Sequence, residues 1–116
     1  MYIPQLITRW CFVFNYKPVS SLVSLYSKDA VLFPTFEKKM LNGEKQIERY
    51  FDELKTQKTH IRLGQISSRT AFGTDIEFGE YDFIVNGIIY KARFNMVTAE
   101  ERGEMKIIFH QSTLVK

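Results

Sequence analysis

The sequence predicts an α+β domain in which helices come first and an antiparallel sheet follows. Two observations carry this. Apolar residues recur at helical spacing up to Lys58, and beyond it the period drops to about two. Helical segments followed by a run of strands are the pattern of helices packed against one sheet. A third observation bounds the size: 116 residues fit one ordinary domain, taken here as 1–116, and are too few for two.

The first helix is expected from Gln5 to Asn15. Leu6, Trp10 and Val13 share one spacing and Ile7, Cys11 and Phe14 another, so the segment is apolar over most of its circumference. Lys17-Pro18 breaks it. A second short helix is expected from about Val19 to Tyr26. Asp29 to Phe33 reads as a short strand stopped by Pro34. Asn42-Gly43 marks a turn into the clearest helix, Glu44 to Lys55, where Ile47, Tyr50, Phe51 and Leu54 follow the i, i+3, i+4, i+7 rule. Strands are then expected at Thr59–Ser67, Thr70–Phe78, Glu80–Val85, Ile88–Val97 and Met105–Leu114.

Asn86-Gly87 is the strongest short hairpin signal, a two-residue type I′ turn. Such a turn sets Val85 opposite Ile88, Glu80 opposite Arg93 and Asp82 opposite Lys91. Two opposite-charge pairs on one face support that register. The other face carries Tyr81, Phe83, Val85, Ile88, Tyr90, Ala92, Phe94 and Met96 and calls for burial.

Composition narrows the function classes. Hydrophobic residues make up 45% of the chain and ten residues are Phe, enough for a core without disulfides or metal. The net charge of +3 is mild, and the short basic runs, Lys38-Lys39 and Lys55 with Lys58, have acids beside them. That argues against a nucleic-acid footprint. The single Cys11 cannot pair internally, which fits a reducing compartment, and its neighbours Trp10, Phe12 and Phe14 suggest a buried small hydrophobe. The N-terminus does not read as a signal peptide and no stretch is long enough to span a membrane, so a cytoplasmic protein is expected. Two histidines and one cysteine without zinc-like spacing point to no metal, and no glycine-rich phosphate loop or other cofactor motif is present.

Several segments resemble one family. Trp10, then Leu25-Tyr26-Ser27-Lys28-Asp29-Ala30-Val31-Leu32-Phe33-Pro34-Thr35, is similar to the opening of SnoaL-like proteins of the nuclear transport factor two-like superfamily. Gly43, Ile47 and Tyr50-Phe51 resemble the family's third helix. Gly79-x-Tyr81-x-Phe83, Gly87 and Ala92-Arg93-Phe94 resemble its central strands, and Ile107-Ile108-Phe109-His110-Gln111-Ser112 its closing strand. The match runs from about residue 8 to 113 and is nearest to the branch of the EcaC and SgcJ proteins and the association domain of calcium/calmodulin-dependent kinase II. Gln111 replaces a second His, Met105 stands where Trp is usual, and the proline after the final serines is missing. The resemblance implies a cone: three N-terminal helices on a strongly bent antiparallel sheet enclosing a cavity, and a homodimer formed through the sheet. Some members are enzymes and others binding or assembly modules, and fold alone does not choose between them.

The candidate ligand residues are Arg93, Glu80, His110, Gln111 and Trp10. The resemblance puts a carboxylate-binding arginine at Arg93, and a guanidinium fork suits a carboxylate. The plain alternative is a surface pair with Glu80. His110 titrates near neutrality when unperturbed and is able to act as acid, base or ligand contact. Gln111 can donate and accept, but adjacent strand residues face opposite sides, so His110 and Gln111 share one cavity only if a bulge intervenes. Trp10, Tyr26, Tyr50 and Phe51 roof the cavity or simply fill it. Two functions follow. The first is a non-catalytic small-molecule-binding or association module with a cavity suited to a small carboxylate. The second is a ketosteroid-isomerase-like or polyketide-cyclase-like enzyme acting on a small apolar substrate, with Tyr16, Tyr26 or Tyr50 as donor and Asp29 or Asp82 as base.

Overall fold

A computed structural model describes residues 5–115; Met1 to Pro4 and Lys116, and with them the start of the leader-free reading, lie outside the described residues. The elements run α1 (Leu6–Tyr16), α2 (Val19–Val23), β1 (Tyr26–Phe33), β2 (Leu41–Asn42), α3 (Gly43–Lys55), β3 (Thr59–Ala71), β4 (Thr74–Val85), β5 (Ile88–Glu101) and β6 (Glu104–Leu114). The strands form a curled, open sheet in the order β2-β1-β6-β5-β4-β3. Neighbours are antiparallel except β1 and β6, which run parallel because the strand that leaves the helical half docks beside the last one.

The α+β expectation holds, with three local differences. α2 stops at Val23, earlier than its apolar spacing suggests, because Leu25 and Tyr26 are taken by the sheet: Leu25 O accepts from Ile107 N at 2.8 Å and Tyr26 pairs with Ile107. α1 is buried through Leu6, Ile7, Trp10, Val13 and Phe14, but Phe12 and Tyr16 remain exposed, their rings tilted against each other. The expected breaks at Ser68-Arg69, at Gly79 and after Val97 are absent, and the expected strand at 70–78 is instead divided by a turn at Phe72-Gly73, so 70–71 close β3 while 74–78 and 80–85 are one strand. Gly79 bends it. Its φ is +155°, opposite an irregularity between Leu63 and Ile66 in β3, and an added Cβ would overlap the Gln65 carbonyl oxygen and lie 2.8 Å from Ile66 Cα. Only glycine accommodates that approach.

The Asn86-Gly87 turn forms, with φ of 51° and 83°, and β4 and β5 pair Val85 with Ile88, Asp82 with Lys91 and Glu80 with Arg93. Two further turns, Phe72-Gly73 and Arg102-Gly103, have the same pair of positive φ values. The inner face of the sheet meets the helices. Trp10, Phe14, Ile47, Phe51, Tyr81, Phe83, Phe94 and Met96 form one apolar cluster there, so helices cover the apolar hairpin face. Ile88 is the exception, 57% exposed at the turn.

Candidate functional site

The inner face converges on His110. The register pairs His110 with Met96 on β5 and with Leu32 on β1, both inward, and the side chain is 1% exposed. Trp10 reaches it from α1, edge to face at 5.3 Å, and Tyr26 and Tyr81 flank it from β1 and β4. Trp10 Nε1 donates to Tyr26 Oη at 3.0 Å, Tyr26 Oη lies 2.8 Å from His110 Nδ1, and Tyr81 Oη lies 3.2 Å from His110 Nε2.

Satisfying every group orients this chain of bonds. An indole N–H only donates, so Tyr26 Oη accepts it. The one proton of Tyr26 then goes to Nδ1, since this buried hydroxyl otherwise goes unpaired. The ring proton therefore sits on Nε2 and is donated to Tyr81. Ser112 and Thr35 hydroxyls act on the Tyr81 phenol and bond to each other. Burial pushes the His110 imidazole down to about 3, so the ring is neutral at physiological pH. Burial likewise raises the Tyr26 and Tyr81 phenols, and carries Tyr50 up to about 12. The site thus holds hydrogen-bonding groups without charge. The free space among Trp10, Thr35, Tyr50, Phe51, Tyr81 and His110 is about 10 Å³, on the scale of a single water molecule.

The five sequence candidates divide between two faces. Trp10 and His110 are inside. Arg93, Glu80 and Gln111 are exposed on the outer face, Arg93 directly opposite Glu80 and Gln111 opposite Asn95. A register shift between Val97 and Thr98 sets Ile107 and His110 both inward and Gln111 outward. The inner cavity therefore does not bring Arg93 and His110 together. Of the suggested donors, Tyr26 and Tyr50 are buried, whereas Tyr16 is 67% exposed. Asp29 is exposed, and Asp82 faces outward, bonded to Arg62 at 2.9 Å and 3.8 Å from Lys91. Neither suggested base lines the cavity. Cys11 packs half-buried with its thiol 3.4 Å from Ile61 O, and burial raises its pKa.

Tyr81 and Ser112 are polar groups of the inner site that the five sequence candidates do not include. Tyr81 stands in the sequence only as part of the apolar face and of the Gly79-x-Tyr81 resemblance, although its hydroxyl is polar and the alternation that buries Phe83 turns it inward too.

The outer face has an apolar row running straight across four strands. Ile76 pairs with Val97, Val97 with Phe109, and Phe109 with Val31. Phe33 stands beside Phe109 at a ring distance of 5.8 Å and is 38% exposed. Among the described residues no helix is long and apolar enough to cross a membrane, and no three His, Cys, Asp or Glu side chains are grouped to hold a metal ion.

A curled open sheet around three helices, with an inward-facing closing strand, is the fold of the nuclear transport factor 2-like superfamily, and the chain has that fold. It is similar to a structure from Xanthomonas campestris described as a calcium/calmodulin-dependent protein kinase II association domain: 26% identity, TM-score 0.85, 95% of this chain and 83% of that one. It is also similar to nuclear transport factor 2 of Cryptosporidium parvum, at 18% identity and TM-score 0.82 over 96% and 90% of the chains. A Parabacteroides distasonis protein described as a ketosteroid isomerase aligns at 17% identity and TM-score 0.80, over 99% and 89%. No family model and no curated protein matches the sequence.

Proposed function

We propose that this protein is a non-catalytic association and small-molecule-binding module that pairs with a second copy through the outer face of its sheet. The observation that carries the reading is the apolar row Val31–Phe109–Val97–Ile76, extended by the exposed Phe33. Water-facing sheet surface is ordinarily polar, and a contiguous apolar band flanked by charge marks an interaction surface. Beyond the neighbouring Phe78–Asn95–Gln111 row the same face carries charges of both signs: Glu80 and Asp82 with Arg62, Lys91 and Arg93. A patch that meets itself across a two-fold axis needs that self-complementarity. The similarity to a protein described as an association domain points the same way. In this reading Arg93 serves at the rim of the pair, and recognition of a small carboxylate belongs there and not to the inner cavity.

The inner site speaks against general-base catalysis. A general base works best with a pKa near the working pH, and an imidazole held at about 3 is a weak base in neutral solution. The second reading, an isomerase-like or cyclase-like enzyme on a small apolar substrate, rests on the Trp10–Tyr26–His110–Tyr81 chain of bonds, which could polarise a carbonyl. It requires the aromatic filling to open.

Sedimentation velocity at micromolar concentration tests the association. Wild type sediments as a dimer and Phe33→Asp as a folded monomer, because Phe33 is exposed in the single chain and its loss does not disturb the core. A monomeric wild type removes the proposal.

A further inference from the structure

At the opposite end of the inner face β4 and β5 run past the first turn of α1, and the sheet left uncovered by the described residues borders a groove of about 700 Å³. Its floor is polar. Thr98 is 1% exposed and lines the groove, yet its hydroxyl has no hydrogen-bond partner among the described residues. A buried hydroxyl without a partner is costly, and valine has the same shape without that cost. The threonine at this position therefore calls for a partner that arrives from the groove.

The neighbours define that partner's charge. Asp75 sits directly across from Thr98 on β4, and Glu77 lies two residues further along the same inner face. Glu77 is 4% exposed, and its two carboxylate oxygens accept the backbone N–H groups of Ile7 at 2.7 Å and Leu6 at 3.0 Å. This consumes the positive end of α1, so the groove has no vacant amides for an anion. A carboxylate offers about four acceptor positions, which leaves Glu77 acceptors to spare. Asp75 accepts from Thr70 Oγ1 at 2.8 Å through one oxygen, Oδ1. Of the basic groups, Lys106 is committed to Ser24 O at 2.6 Å and Glu104 at 3.3 Å, and Arg9 stands exposed at the rim. Leu6, Leu25 and Met105 supply an apolar wall.

We propose that this groove binds a small primary amine in its ammonium form, its three N–H donors shared by the Thr98 hydroxyl, Glu77 and Asp75 and its apolar body set against Leu6, Leu25 and Met105. The requirement is specific: three donors, one positive charge and a short apolar stem. An alcohol of the same length lacks the charge, and a carboxylate meets two acids.

The test titrates the full chain with n-butylammonium, n-butanol and butyrate, followed by amide chemical shifts. The ammonium ion shifts Thr98, Asp75 and their neighbours, and the other two probes do not. Thr98→Val weakens ammonium binding by about tenfold or more, the loss of one hydrogen bond to a charged group. It leaves the melting temperature unchanged or raises it, which separates lost binding from lost folding. Asp75→Asn, which keeps the shape and removes the charge, weakens binding to a similar degree. Glu77 is left intact because it also caps α1. The proposal is overturned if all three probes bind alike, if none binds, or if Thr98→Val binds n-butylammonium as wild type does, in which case water is the hydroxyl's partner.

Discussion

The two ends of the inner face are built on the same strands and solve opposite problems. At the closed end β4, β5 and β6 present Tyr81, Phe94 and His110 to Trp10, and the hydroxyls and ring nitrogens of Tyr26, Tyr81 and His110 are paired in about 10 Å³ of free space. At the open end the same three strands present Glu77, Thr98 and Met105 to a groove of about 700 Å³, and Thr98 has no partner among the described residues. The difference is set by where α1 begins. Its first turn, held by Glu77, divides a face that is packed from one that is merely sheltered. A buried polar group stabilises a fold only when paired, so the paired end reads as scaffold and the unpaired end as a place for something else.

The comparison breaks most visibly at Trp10. It is fully buried, contacts Phe14, Phe51, Tyr81 and His110, and supplies the first donor of the bonded chain. Trp10→Ala should destabilise the protein by about 3–5 kcal/mol, the usual range for truncating a buried large aromatic. Urea unfolding followed by far-ultraviolet circular dichroism measures it. A loss below about 1 kcal/mol would mean the closed end is not the scaffold.

Acid sharpens the contrast, because the two ends titrate with opposite sign. His110 has its pKa lowered from 6.5 to about 3 in the folded protein, so the unfolded chain binds this proton first. Its contribution to stability is complete above pH 6.5 and is lost as pH falls toward 3, at up to about 1.4 kcal/mol per pH unit. Glu77 is raised above 4.5 by desolvation, against the pull of the Ile7 and Leu6 amides, so the folded protein binds its proton first. Acidification through that range favours folding. The difference between wild type and His110→Gln therefore isolates the imidazole. Unfolding free energies at pH 7, 6 and 5 should converge for the two proteins as pH falls. Parallel curves would show that His110 takes up its proton equally in the folded and unfolded chain and that burial does not shift it.

Much of this was legible in the sequence. The Asn86-Gly87 turn gave the register of β4 and β5, and from it the inward set from Tyr81 to Met96. Extending that alternation back from Tyr81 through Gly79 to Glu77, and on from Met96 to Thr98, would have placed both inward as well, but an acid and a threonine do not register as core when apolar patterning is the signal. The position of Arg93 was less legible. The alternation that buries Ala92 and Phe94 already turns Arg93 outward, whereas the family resemblance pointed it to the cavity. The register shift after Val97 was invisible, since a bulge depends on the backbone and not on residue type. Gly79 marked a bend and was read as a strand end, because a glycine alone does not say whether pairing continues through it.

The smallest effect is expected on the outer face, which serves as the control for both ends. Arg93 is exposed and lies across from Glu80 without closing a salt bridge among the described residues, while Asp82 nearby is bonded to Arg62. An exposed cross-strand pair contributes at most about 1 kcal/mol, and less as salt rises. Arg93→Ala should therefore leave the unfolding free energy of the chain nearly unchanged. The same residue stands four residues along β5 from Val97 of the apolar row proposed to pair two copies, at its rim, and a rim charge acts mainly on association rate and salt dependence. The variant should thus shift the monomer–dimer balance slightly at low salt and not at all at high salt. Sedimentation at two ionic strengths, beside a thermal melt, reads both quantities from one preparation. A melting temperature that drops as far as it does for Trp10→Ala would place Arg93 in the packed interior and undo the division of faces. Weaker binding of a small carboxylate by Arg93→Ala, with an amide of the same shape unaffected, would put an anion site on the outer face, where the guanidinium is free to make charge-assisted bonds.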